Sequence, residues 1–167
     1  SSAASDVYKR QVYVRVARAS LPDVFEDGME LSPKAKIMKE GSDITIITNG
    51  ETLQECIEAV DELAKQGIDA ELIHMPFVKP FDGNAVIKSA KKTGLVLTVE
   101  NHSIKGALGS AVCELLSEQL PTRVIRLGIN DQFGMSGTAG ELMDYFGLNS
   151  KGIVKKVVEI KNDTIKS

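Results

Sequence analysis

From Lys34 onward, short apolar runs alternate with stretches whose apolar residues recur at helical spacing. Asp43–Thr48, DITIIT, is a β-branched run fit for a strand buried on both faces. Asn49 and Gly50 break it. Leu53, Cys56, Ile57, Val60, Leu63 and Ala64 then share one face of a helix that Gly67 closes. Ala70–Met75 predicts the next strand. Pro76 and Pro80 bracket a loop, and Asp82 is placed to cap a helix carrying Val86, Ile87 and Ala90, with Gly94 as its stop. Leu95–Val99 predicts another strand and Glu100–Gly106 a polar loop. Leu108, Ala111, Val112, Leu115 and Leu116 form one face of a third helix, which Pro121 ends. Arg123–Leu127 predicts a strand and Gly128–Gly137 a glycine-rich loop. Thr138 and Glu141 have capping-box spacing for a short helix through Phe146, stopped by Gly147. Ile153, Val154, Val157 and Val158 mark a last helix, and Asn162–Ser167 a frayed polar tail.

Strands alternating with helices of this length imply an α/β three-layer sandwich around a mostly parallel sheet, with right-handed crossovers. Ala35–Lys39 is a weaker fifth strand. The residues before Lys34 follow another pattern. Val12–Val16 alternates as a short strand does, and Leu21–Ser32 is acidic, with Pro22, Gly28 and the following Pro33 giving a linker signature. Ser1–Gln11, SSAASDVYKRQ, has no periodicity and does not open on Met; it reads as a non-native scar. The expected organisation is therefore a scar over 1–11, the end of a preceding domain and a linker over 12–33, and one domain over 34–167.

Composition narrows the function classes. The chain has 167 residues, 43% hydrophobic and 26% charged, the proportions of one ordinary globular domain. Its net charge is −3, or −4 without the scar, so a nucleic-acid binder, which needs a basic excess, is not expected. No apolar stretch approaches the roughly 20 residues that cross a bilayer, and no charged-then-apolar leader is visible. A cytoplasmic place follows as the expectation. Cys56 and Cys113 cannot make a disulfide framework and read as small hydrophobes. The two Cys and two His lie far apart without CxxC or HxxxH spacing, so no zinc site is expected.

His74, at a strand end, reads as a residue bonded to its loop. His102 lies in ENHSIKGALG, Glu100–Gly109, between a strand and a helix. In open parallel sheets, ligands sit beyond the carboxyl ends of the strands. Gly106 and Gly109 there permit a tight turn and a close approach. An interface or structural role and a ligand contact both remain open for this loop. Asn49-Gly50 before a helix is a candidate anion site, although a turn and helix start explain it as well. Gly128–Gly137 has neither the GxxxxGK[ST] nor the GxGxxG spacing, and GMSG around Ser136 is not a nucleophile elbow. With no His and acid nearby to activate Ser136, no self-contained catalytic constellation is present.

Four motifs in order carry a resemblance: GSDITIITNG (Gly41–Gly50), KPFD (Lys79–Asp82), TVENHSIKGALGSAV (Thr98–Val112), and FGMSG (Phe133–Gly137) with ELMDYFGL (Glu141–Leu148). Together they resemble the C-terminal domain of transketolases, from about Val12 to Val158, most closely those split into two subunits. VYVRVAR (Val12–Arg18) is similar to the strand that closes the family's pyrimidine-binding domain. ENHSIKGALG departs from the family's EEH…GG…G pattern at Asn101 and Ala107. The resemblance implies a mixed five-stranded sheet with one antiparallel strand, which Ala35–Lys39 could supply. It implies an enzyme using thiamine diphosphate and Mg²⁺ to move a two-carbon ketol unit between sugar phosphates, as a homodimer or heterotetramer with upstream domains or an N-terminal subunit. The family holds diphosphate and metal on a GDG…N motif in an upstream domain, and this chain has no GDG. No catalytic or cofactor-contacting residue is therefore carried over, and the chain alone is expected to be inactive. Glu100, His102, Gly106 and Gly109, with Arg15 and Lys79 as further candidates, are expected at an interface or substrate-channel rim. Two other readings are the same domain of a 1-deoxyxylulose-5-phosphate synthase or of a 2-oxo acid dehydrogenase beta subunit, and a freestanding partner-binding module.

Overall fold

The β-branched run is the centre of the sheet. All five residues of Ile44–Thr48 (β2) are buried, with a neighbour strand on either side. The structure, a computed structural model, describes Val24, Phe25 and residues 32–165, with side chains through Asp163. The expected scar, the Val12–Val16 strand and Arg15 lie outside the described residues. The other strands are Lys36–Lys39 (β1), Ala70–His74 (β3), Leu95–Ser103 (β4) and Arg123–Ile129 (β5), in the order β1-β3-β2-β4-β5. β1 runs antiparallel to β3, and the remaining pairs are parallel. The sheet is thus the mixed five-stranded one expected, with the weak Ala35–Lys39 candidate as its antiparallel edge.

Alternation along each strand divides the core. Ile44, Ile46, Ala70, Leu72, Leu95, Leu97 and Val99 face one side, where Leu53–Lys65 (α1) and Ser150–Ile165 (α5) cover them. Ile47, Ile73, Met75 and Val96 face the other, under Gly83–Thr93 (α2) and Leu108–Gln119 (α3). Each buried Leu, Ile or Val contributes about 1.5–3 kcal/mol of transfer free energy, so the two apolar faces decide the three-layer form. A shorter helix, Ala139–Phe146 (α4), rests Met143 and Phe146 on the edge of the first core.

The expected helix ends are where the sequence puts them. The Asp82 side chain accepts from the Ala85 amide at the start of α2, and Gly94 ends that helix in the left-handed region. Thr138 and Glu141 form the reciprocal capping box of α4. Three boundaries differ. β4 continues through Ser103 where a loop from Glu100 is predicted, because Ser103 still pairs with Ile129 across a register shift. β5 extends to Ile129, taking two residues from the predicted glycine-rich loop. α5 runs to Ile165 in place of a frayed tail from Asn162; buried Ile160 and a 3.1 Å ion pair from Lys161 to Asp43 hold its last turns. No helix among the described residues is long and apolar enough to cross a membrane.

Candidate functional site

The carboxyl ends of the parallel strands are where an open α/β sheet places its ligands. Here that edge is built around Glu100. Alternation along β4 puts its side chain on the face of buried Thr98, toward the start of α3, and it is only 2% exposed. One carboxylate oxygen accepts from the Leu108 amide at 3.0 Å and the other from the Gly109 amide at 2.9 Å. Ala107, the residue before α3, has no side chain able to cap, and Glu100 supplies the missing acceptors from eight residues upstream. Glu100 is therefore not on the surface of the loop but a buried support beneath it.

The other candidates divide. Gly106 turns the chain with φ +78° and donates to the Ser110 hydroxyl at 2.8 Å. Gly109 is needed for space: a Cβ there would lie 2.8 Å from Thr98 Oγ1 and 2.9 Å from the Arg126 side chain. His102 is exposed, its Nδ1 3.2 Å from the Ser103 carbonyl oxygen. Lys79 is exposed in the loop after β3, a strand that β2 separates from β4. The structure thus joins Glu100, Gly106 and Gly109 into one loop, with His102 on its outer side and Lys79 apart.

Residues outside the expected rim candidates complete this edge. Arg126 donates to the Ile104 carbonyl at 2.8 Å, and Lys105 pairs with Asp131. The Thr48 and Thr52 hydroxyls are 2.7 Å apart, and Thr52 reaches the Val99 carbonyl. Asn101, one of the two departures from the family pattern, donates to Glu51 at 2.7 Å. A basic residue in a strand and two threonines flanking Asn49-Gly50 were the available signals.

Electrostatics argue against an anion site at either helix start. Glu51 lies in the first turn after Gly50, and Glu100 occupies the amides of α3. An incoming phosphate would meet a carboxylate in both places. Nucleophile chemistry is equally remote. Burial pushes the Cys56 thiol up to about 12, so it stays protonated at neutral pH. Burial, with the Lys36 ammonium nearby, holds the half-buried His74 imidazole below its ordinary value. Its ring packs against Phe25 with centroids 5.1 Å apart. Among the described residues no group of three His, Cys, Asp or Glu could hold a metal ion.

The profile of the transketolase C-terminal domain matches residues 33–153. The chain belongs to the transketolase C-terminal domain family. The 6-deoxy-6-sulfo-D-fructose transketolase subunit SqwH of Clostridium sp. is 42% identical over 150 residues, 89% of this chain and 47% of its own. An apulose-4-phosphate transketolase subunit of Phocaeicola vulgatus is 42% identical over 155 residues, 91% of this chain and 49% of its own. A 1-deoxy-D-xylulose-5-phosphate synthase of Geobacter sulfurreducens is 40% identical over 120 residues, 71% of this chain and 19% of its own. Among solved structures, a split-gene transketolase described as an inactive beta4 tetramer superposes with a TM-score of 0.81 at 38% identity, covering 85% of this chain and 47% of that one. The chain spans about half the length of the transketolase subunits it matches. The family generally uses thiamine diphosphate. The residues present do not fit that group: no GDG motif exists, both helix starts carry carboxylates, and no metal-ligand cluster is found among the described residues.

Proposed function

We propose that this chain is the C-terminal part of a split-type transketolase, acting with the other part of the enzyme to transfer a two-carbon ketol unit between sugar phosphates. Thiamine diphosphate and Mg²⁺ are bound by that other part, in domains for which this chain supplies a packing surface. The assembly is a homodimer or a heterotetramer, contains copies of this chain and works in the cytoplasm. The observation that carries the reading is the 38% identity and TM-score of 0.81 to a split-gene transketolase over 85% of the chain. The rim of His102, Gly106 and Gly109 on buried Glu100 is an interface or channel edge, not a reaction centre. The domain does not choose the sugar: two relatives named for different substrates are equally similar to it, at 42% identity. The second reading, the same domain in a 1-deoxyxylulose-5-phosphate synthase, is favoured by a 40% match over 71% of the chain and a 37% match over 87% of it.

The test is a chimera in which this chain replaces the matching half of the Phocaeicola vulgatus apulose-4-phosphate transketolase subunit, assayed with the complementary subunit, thiamine diphosphate and Mg²⁺. Ketol transfer above background is expected. A folded, assembled chimera without transfer would count against the reading. The pure chain, given ribose-5-phosphate, xylulose-5-phosphate, cofactor and Mg²⁺, is expected to give no turnover and no calorimetric signal for the cofactor; turnover would contradict the placing of the chemistry elsewhere.

A further inference from the structure

Inside the acidic stretch Leu21–Ser32 stand two adjacent apolar residues, Val24 and Phe25. A plain linker needs neither, yet both pack against the first core, as Met38 of β1 does. The Phe25 ring lies 5.1 Å from the His74 imidazole, centroid to centroid, and the Lys36 ammonium sits 4.7 Å from the centroid of the same ring. Lys36 and His74 are register partners across the β1–β3 pair, the first residue of one strand and the last of the other. One ring therefore grips both strands. An aromatic side chain brings a large apolar area to such a seat, and a cation within about 6 Å of its centroid adds electrostatic attraction. Burial, and then the Lys36 ammonium, hold the His74 imidazole below its ordinary value, as a covering ring would. β1 has β3 as its one neighbour in the sheet, so a side chain that bridges the two fastens the edge strand as well.

We propose that Val24 and Phe25 are a clip that seats the incoming chain on the β1–β3 edge and fixes the point at which the rest of the enzyme joins this domain. The second half of that statement rests on the split-transketolase reading; the clip itself does not. His74 ends β3, so the clip lies at the carboxyl edge of the sheet, the edge that also carries the Glu100–Gly109 loop. Without a grip, a polar linker lets its far end roam over a distance that grows with the square root of its length. A grip at Phe25 removes that freedom. Charge acts in the same direction: Asp23, Glu26 and Asp27 flank the pair in sequence, and the seat presents Lys36.

The test is nuclear magnetic resonance on the full chain, beside Phe25→Ser and a control, Phe133→Ser, which removes a ring that is 98% exposed. The parent is expected to show a nuclear Overhauser contact between the Phe25 and His74 rings. In Phe25→Ser the His74 titration midpoint should rise toward its ordinary value. Amides of Lys36–Lys39 should exchange about five- to tenfold faster, while those of central Ile44–Thr48 keep the protection of the parent. Phe133→Ser should change none of these. A missing ring contact, a His74 midpoint and β1 exchange unmoved in Phe25→Ser, or the same changes in Phe133→Ser would each overturn the clip. In the active chimera, Phe25→Ser should lower ketol transfer at least about threefold, because a misplaced part costs rate; an unchanged rate would overturn the joining role. An active chimera whose chain lacks the ring contact defeats the clip alone. An inactive chimera whose chain shows the contact and the expected exchange defeats the functional reading alone.

Discussion

Removing the Glu100 carboxylate tests the architecture of the Glu100–Gly109 loop. In Glu100→Ala the amides of Leu108 and Gly109, both on buried residues, lose acceptors at 3.0 and 2.9 Å. An orphaned buried donor costs about 1–3 kcal/mol, and loss of a helix cap about 0.5–2 kcal/mol, two descriptions of overlapping effects. We expect a loss of about 2–4 kcal/mol, which at this chain length lowers Tm by about 5–15 °C. Glu100→Gln retains one oxygen but turns an amide N–H₂ toward the second backbone N–H, so it should lose about 1–3 kcal/mol. The assay is urea unfolding followed by circular dichroism, with hydrogen exchange read at Leu108 and Gly109. Both amides should exchange faster in the Ala variant than in the parent. A change within about 0.5 kcal/mol is what an ordinary surface residue gives. That result, with unchanged protection of the two amides, would refute the capping role and return Glu100 to the solvent side of the loop.

Gly109→Ala drives a methyl group to 2.8 Å from Thr98 Oγ1, and should cost about 1–3 kcal/mol in thermal or urea unfolding. Adding Thr98→Ala should recover part of this, and a strictly additive double variant would argue against the clash. His74 titrates lower in the folded chain than in the unfolded one, so the unfolded state takes up its proton first as pH falls. Its contribution is complete above about pH 6.5 and is lost as pH drops toward the folded value; His74→Gln should flatten this part of the stability–pH curve. Lys92→Ala takes from Glu71, fully inaccessible in β3, its ammonium partner and leaves it the Thr45 hydroxyl. Because Lys92 is 38% exposed, the loss should be about 1–3 kcal/mol, below that of a fully buried pair, and urea unfolding reads it.

What the sequence displays and what it conceals separate along physical lines. Period and local chemistry are local properties. DITIIT marks a central strand, the Thr138–Glu141 spacing marks a cap, and Asp82 and Gly94 bound a helix, because each acts within a few residues of itself. The inward turn of Glu100 is not local. Five polar residues share its segment, and which of them faces the core depends on β4 continuing past Val99, so that alternation carries Glu100 to the face of Thr98 beside α3. The role of Gly109 depends equally on Thr98 and Arg126, which approach it from two strands. Glu71 looks like a surface acid in AELIH until α2 brings Lys92 to it. The sequence did indicate that the Glu100–Gly109 loop is special; it could not assign the parts within it.

The distribution of satisfied and unsatisfied groups bears on what such a domain offers a larger enzyme. At the carboxyl edge most polar groups that could meet a ligand already have partners in the chain, the buried Thr98 hydroxyl beside Gly109 being an exception. Glu100 is bonded to α3, Glu51 to Asn101, Arg126 to the Ile104 carbonyl, and Thr52 to Thr48 and Val99. A ligand entering there would have to displace bonds whose replacement gains little. The unmet free energy lies at Phe133, Met135 and Tyr145, where apolar area meets water. Hydrophobic association recovers that term without requiring chemical groups of matching type. On the proposed reading, a domain of this kind serves enzymes acting on different sugars and leaves substrate choice to other parts. Transferring the domain between a sulfo-fructose and an apulose-phosphate transketolase should therefore leave the substrate preference of the recipient unchanged. A preference that travelled with the transferred domain would place sugar recognition on these residues and undo this division of labour.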